Sequence, residues 1–165
     1  METIECIKTR RSVRDYNPDA QIDVSAIKGL VSIASWAPSG KNIQPWKVKI
    51  ITDKEIIKSI AALSVANRWI SKTTCLLAVF LDKARSYDYV KDVEECGAFI
   101  QTMLLAAHDM NIDSCWVGGI IHKSKEINVT LKVPGDFELM GIVTLGKGAD
   151  KIRTASRREL NELLL

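Results

Sequence analysis

Between Phe99 and Ala107 the chain is apolar around the full circumference of a helix, broken only by Gln101 and Thr102. A helix with no polar face must be covered on every side. Its apolar spacing extends over residues 92–110, the longest helix the sequence predicts. One small sheet covers one side of such a helix. A second copy of the chain is the natural cover for the other, so a homodimer is expected.

The flanking segments supply the sheet and its outer helices. Residues 2–9 read as a short helix. Asp23 suits the N-cap of a second, whose stripe holds Val24, Ile27, Leu30, Val31, Ala34 and Trp36, with Pro38 ending it. Residues 46–52 alternate as a half-buried strand with Trp46, Val48 and Ile50 on one side. Asp53 then caps a helix carrying Ile56, Ile57, Ile60 and Leu63. Residues 75–81 form an unbroken apolar run of strand length, which predicts a central strand covered on both faces. A turn at 111–113 leads to a strand over 114–117 that ends on Gly118 and Gly119. A helix opening near Ser124 stops before Pro134, and residues 137–145 form the last strand. Helices and strands mix without strict alternation, which predicts an α+β sheet flanked by helices. No repeat or linker divides the 165 residues, so one domain over 1–165 is expected.

Charge and cysteine content exclude several functions. A net charge of +3 is too small to mark a nucleic-acid or membrane surface, and aromatic residues are not interleaved with the basic ones. The positive charge gathers instead at residues 8–14 and 147–158, two clusters suited to meet on one anion. Cys6, Cys75, Cys96 and Cys115 have no metal or redox spacing, and His108 and His122 stand far apart. No apolar run reaches membrane-spanning length, and residues 1–12 do not resemble a secretion signal. A cytoplasmic protein with reduced thiols is expected.

Two segments carry chemistry. In an extended stretch Arg10, Ser12 and Arg14 share one face, offering two guanidinium forks and a hydroxyl to a phosphate. The run Ala37-Pro38-Ser39-Gly40-Lys41-Asn42-Ile43-Gln44-Pro45-Trp46 is small, polar and stiffened by prolines, so it can approach a flat polar ligand closely. Two further stations follow in order. One is Gly97 and Gln101 to Ala107 leading to Cys115-Trp116-Val117-Gly118-Gly119, and the other is Gly146 followed by Arg157-Arg158-Glu159-Leu160.

These four stations resemble the nitroreductase family along nearly the whole chain. The resemblance implies a mixed, mainly antiparallel sheet and a homodimer with a long interface helix. It also implies FMN as cofactor, NADH or NADPH as transient donor, and a small acceptor such as a nitroaromatic or quinone. Arg10, Arg11 and Ser12 would hold the FMN phosphate, joined by Arg157 or Arg158, and Arg14 would reach the pyrimidine edge of the ring. Pro38, Ser39, Gly40 and Asn42 would meet the same flavin from the other subunit. Amides near Gly118 and Gly119 would face N5 and O4, and Gln101 would lie in the interface helix. Flavin then carries the hydride step, and no side chain is needed as nucleophile or base. Dehalogenation, flavin breakdown, or flavin carriage without turnover are the alternatives within this resemblance. The short stretch between Leu81 and Asp92 departs from it, since family members often carry longer insertions there. No role for Tyr87, Tyr89 or Trp69 follows from the sequence.

Overall fold

A computed structural model describes residues 1–149 and 155–165. Strands β1 (Trp46–Ile51), β2 (Cys75–Asp82), β3 (Asp113–Val117) and β4 (Phe137–Gly146) form one sheet in the order β1-β2-β4-β3, every neighbouring pair antiparallel. A single parallel bridge, Ser12 to Ser114, adds the arginine segment to the β3 edge. The four strands are thus wholly antiparallel, and the parallel pairing expected of the sheet is confined to that isolated bridge.

The unbroken apolar run of β2 has a direct cause. It lies inside the sheet, and its side chains alternate between two covered faces. Leu77, Val79 and Leu81 join Ile27, Leu30, Phe99, Met103, Val143 and Leu145 beneath helices α2 (Val24–Ala34) and α5 (Tyr89–Asp109). Leu76, Ala78 and Phe80 join Ile57, Ile60, Ile127 and Ile142 beneath α3 (Lys54–Ala62) and α6 (Ser124–Leu131). Trp46, with Val48 and Ile50 beside it, packs on the first of these cores, and its ring stacks on Phe99 with centroids 4.8 Å apart. The predicted caps hold as well. Asp23 accepts from the Ser25 amide, and Asp53 from the amides of Glu55 and Ile56.

Three local expectations are corrected. Helix α2 stops at Ala34, before Pro38, and Trp36 lies off its buried stripe at 86% exposure. Helix α5 begins at Tyr89 with Asp88 as its cap, not at Asp92. Asp92 is instead fully buried in the first turn, accepting from the Ser86 hydroxyl at 2.6 Å and from the amides of Tyr87 and Asp88. A carboxylate there looks like a helix start in sequence, yet it organises the turn that precedes the helix. On α5, Gln101 is exposed and Ala98, Thr102, Leu105 and Ala106 are partly so, leaving one side of the apolar helix uncovered within the chain.

Candidate functional site

The short helix α1 (Thr3–Thr9) ends at Arg10, and the chain then runs extended along the edge of β3. The Val13 amide donates to the Ser114 carbonyl at 3.0 Å, and Tyr16 anchors the far end beneath β4. Arg10, Ser12 and Arg14 gather around Cys115. Burial pushes the Cys115 thiol above its ordinary pKa, while Arg14, Ser12 and Arg10 each draw it back. All three side chains of the alternation read from the sequence thus act on the same thiol. Arg11 donates to the carbonyls of Lys8 and Arg10 at 2.7 and 2.8 Å at the end of α1 and lies close enough to act on Arg10.

The tail returns to the same edge. The Asn17 amide donates to the Lys147 carbonyl, the Ala149 amide to Asp15, and the Gly148 amide to Asp113 Oδ2. Beyond it, Arg157 lies close enough to act on Arg10, whose guanidinium is held below its ordinary pKa by burial first and by Arg157 next. Arg157 and Arg158 are both exposed. Of the second basic cluster, Lys151 and Arg153 lie outside the described residues.

Arg10 Nη1 is buried and has no hydrogen-bond partner among the described residues. A guanidinium nitrogen withdrawn from water without an acceptor is costly, and like charge nearby adds to the cost. An oxyanion entering between Arg10, Ser12 and Arg157 supplies the missing acceptor and neutralises both cations. The residues present fit a phosphate.

The Pro38 loop is built on different neighbours. Lys41, Asn42 and Gln44 all have left-handed backbones, with φ of 54°, 55° and 53°. None is glycine, so the bend must be held by contacts. Ser39 Oγ accepts from the Gln44 amide at 3.0 Å, and Gln44 Nε2 donates to Asn42 Oδ1 at 2.9 Å. The Gly40 amide donates to Glu95 Oε1 at 2.6 Å, and the Tyr87 hydroxyl lies where a Gly40 side chain would be. Pro38 and Asn42 are exposed. The loop thus leans on the first turns of α5, while the arginine segment leans on β3.

Gly118 and Gly119 follow directly on β3. No atom comes within 4 Å of a methyl built on Gly119, so this backbone faces open space. Trp116, 39% exposed, lies in a bed made by two glycines. A methyl on Gly141 would overlap its indole nitrogen, and one on Gly97 would touch its ring at 3.7 Å.

A family model described as "Nitroreductase family" matches residues 7–73 and 63–147. The chain belongs to the nitroreductase family. The Archaeoglobus fulgidus protein named "Putative NADH dehydrogenase/NAD(P)H nitroreductase" is 30% identical over 91% of this chain and 87% of its own. A Desulfovibrio desulfuricans structure, described as a putative nitroreductase in complex with FMN, is 31% identical with a TM-score of 0.94. It covers 100% of this chain and 96% of that one. The nitroreductase family protein of Streptococcus pneumoniae shares the fold at 19% identity, with a TM-score of 0.89 over 99% of both chains.

Sequence reasoning missed Glu95 and Tyr87. Both belong to α5 or its approach, 55 and 47 residues from Gly40, and no local pattern links them to the Pro38 loop. Only the packing of α5 against that loop brings them there.

Proposed function

We propose that this nitroreductase-family chain is an FMN-dependent oxidoreductase. It takes electrons from NADH or NADPH and passes them to a small acceptor, a nitroaromatic or a quinone. Donor and acceptor visit the same face in turn, so the kinetics are ping-pong. The observation that carries the reading is the buried, unpartnered nitrogen of Arg10 among Ser12, Arg14 and Arg157. FMN, when bound, supplies the centre that accepts and returns the hydride.

The protein's own groups bind and orient. Arg10, Ser12 and Arg157 take the phosphate, with Arg11 and Arg158 adding positive charge around it. Arg14, exposed beside Cys115, presents a permanent cation toward the pyrimidine edge of the ring, where it favours the electron-rich state. The open backbone at Gly118 and Gly119 leaves room for a stacked nicotinamide and still offers amide donors.

The two halves of the site, the arginine segment and the Pro38–Ser39–Gly40–Asn42 loop, rest on different elements of one chain. This supports a homodimer in which each flavin takes the first half from one protomer and the second from its partner. The exposed side of α5 at Gln101 and the exposed ring of Trp36 are surfaces for that contact. The four free cysteines are buried, in keeping with a cytoplasmic enzyme in one domain.

The deciding experiment is the absorption spectrum of fresh protein, with identification of the released cofactor and the mass in solution. A yellow dimer releasing FMN, and turning over a quinone with NADH or NADPH, is expected. Colourless, monomeric protein indifferent to added FMN would overturn the proposal.

A further inference from the structure

The approach to α5 is organised around Gly40 by two carboxylates one turn apart. Asp92, fully buried, ties down residues 86–88 through the Ser86 hydroxyl and the amides of Tyr87 and Asp88. That turn delivers the Tyr87 ring onto Gly40, so closely that a methyl group there would overlap its hydroxyl. Lys41 and Lys91 place their ammonium groups 5.0 and 5.7 Å from the same ring. From the helix itself, Glu95 Oε1 accepts the Gly40 amide at 2.6 Å, and its second oxygen is buried without a partner among the described residues.

A charge-assisted hydrogen bond is roughly twice as strong as a neutral one. Here it ends on the one glycine of a loop whose next residues, Lys41, Asn42 and Gln44, are held left-handed. Those conformations persist only where the surroundings over-determine them. Within the loop, Ser39, Asn42 and Gln44 bond one another. Among the described residues its bonded anchors outside are Glu95 at Gly40, the Asp82 amide at the Pro45 carbonyl at 2.7 Å and, at 3.5 Å, the Arg85 guanidinium at the Ile43 carbonyl. Glu95 makes the shortest of the three and supplies the one anchor at the glycine itself, whereas Asp82 holds the end that enters β1.

We infer that Glu95 is the positioning residue of the Pro38 loop: with Tyr87 it clamps Gly40, and the flavin affinity of the site depends on that clamp. Glu95 acts through Gly40. The consequence for flavin rests on the reading that this loop contacts FMN, whereas the clamp itself does not.

Two measurements separate them. In flavin-free protein, hydrogen exchange at residues 39–44 reads the clamp directly. Glu95→Ala should speed exchange at the Gly40 amide about tenfold, the loss of a hydrogen bond to a charged group. Glu95→Gln, whose amide oxygen still accepts, should restore most of the protection. With FMN added, the dissociation constant should rise about tenfold in Glu95→Ala and recover in Glu95→Gln. Inorganic phosphate competing at the arginine segment should bind both variants like wild type. Unchanged Gly40 exchange in Glu95→Ala overturns the clamp. Faster exchange with unchanged FMN affinity overturns its link to flavin, and wild-type protein that binds no FMN overturns the functional reading instead. Should Glu95→Ala unfold, Tyr87→Ala probes the same clamp from its other jaw, and unaltered exchange at Gly40 there also counts against it.

Discussion

The hydroxyl of Tyr16 meets that of Thr144 at 2.8 Å in the interior, and the same hydroxyl lies 2.9 Å from the Val13 carbonyl. Its ring, 1% exposed, fills the space left by Gly146, the last residue of β4. This one side chain therefore fastens the arginine segment to the sheet. Tyr16→Phe keeps the ring and leaves the Val13 carbonyl without this donor. The expected loss is about 1–3 kcal/mol, read from urea unfolding. FMN affinity should fall with it, because Arg10 to Arg14 lose one of their two anchors and keep only the Val13 amide on Ser114. A Tyr16→Phe and Thr144→Val cycle should show coupling of about 0.5–3 kcal/mol. Strict additivity would mean that the two hydroxyls do not cooperate.

Arg10 and Arg14 should separate binding from tuning. Arg10 is the part-buried cation with an unpartnered nitrogen, so Arg10→Ala should release FMN on dialysis while the fold persists. Removing it also relieves the repulsion from Arg157, and the flavin-free variant should be no less stable than wild type. Arg14 is exposed, and Arg14→Ala should keep most of the flavin but lower its reduction potential. Equal retention of FMN in Arg10→Ala, or an unaltered potential in flavin-loaded Arg14→Ala, would remove the residue from its role.

What the sequence disclosed follows the range of the interactions. Periodicity exposes elements whose burial is local, and β2, α3 and α6 lie where the apolar spacing put them. The extended alternation of Arg10, Ser12 and Arg14 was legible for the same reason, since it needs only a strand-like backbone. Trp36 misled because a stripe extended one turn too far looks continuous until the chain turns off at Ser35. The start of α5 reads three residues late because the apolar spacing begins only after Asp92, while the exposed Tyr89 and Val90 of the first turn carry no such signal. The clamp on Gly40 was invisible because Tyr87 and Glu95 reach it only through tertiary packing. The two halves of the site were named from motifs, but their support on separate elements emerged only from the fold.

Trp116 and Gly141 make a second test of close approach. The pairing of β2 and β4 slips between Val79 and Phe80, with one extra residue, Met140, on β4. Gly141 follows at a φ of 157° and gives its Cα face to the indole. Gly141→Ala should cost about 1–3 kcal/mol by overpacking and turn the indole outward, shifting its fluorescence to the red. Trp116→Ala in the same chain should recover part of that loss. If the double variant is as unstable as the sum of the singles, backbone conformation, not the indole, sets the need for glycine.

Alkaline stability should report the buried thiols. Burial pushes the thiols of Cys75 and Cys96 from 9.0 up to about 12, with Asp92 and Glu95 adding to the rise at Cys96. Between those values the folded chain keeps both protons while the unfolded chain has lost them. The unfolded state then binds fewer protons, so stability falls as pH rises from about 9 toward 12, by ~1.4 kcal/mol per pH unit for each thiol. Below about pH 9 both states hold the protons and these thiols contribute no slope. Tyrosines and lysines titrate in the same range, so the measurement is the difference between wild type and Cys75→Ala in urea midpoints from pH 8 to 11. The variant starts less stable because it leaves a small cavity beneath β2, and its loss on going alkaline should be shallower. Parallel curves would mean that Cys75 ionises as easily in the folded protein as in the unfolded one.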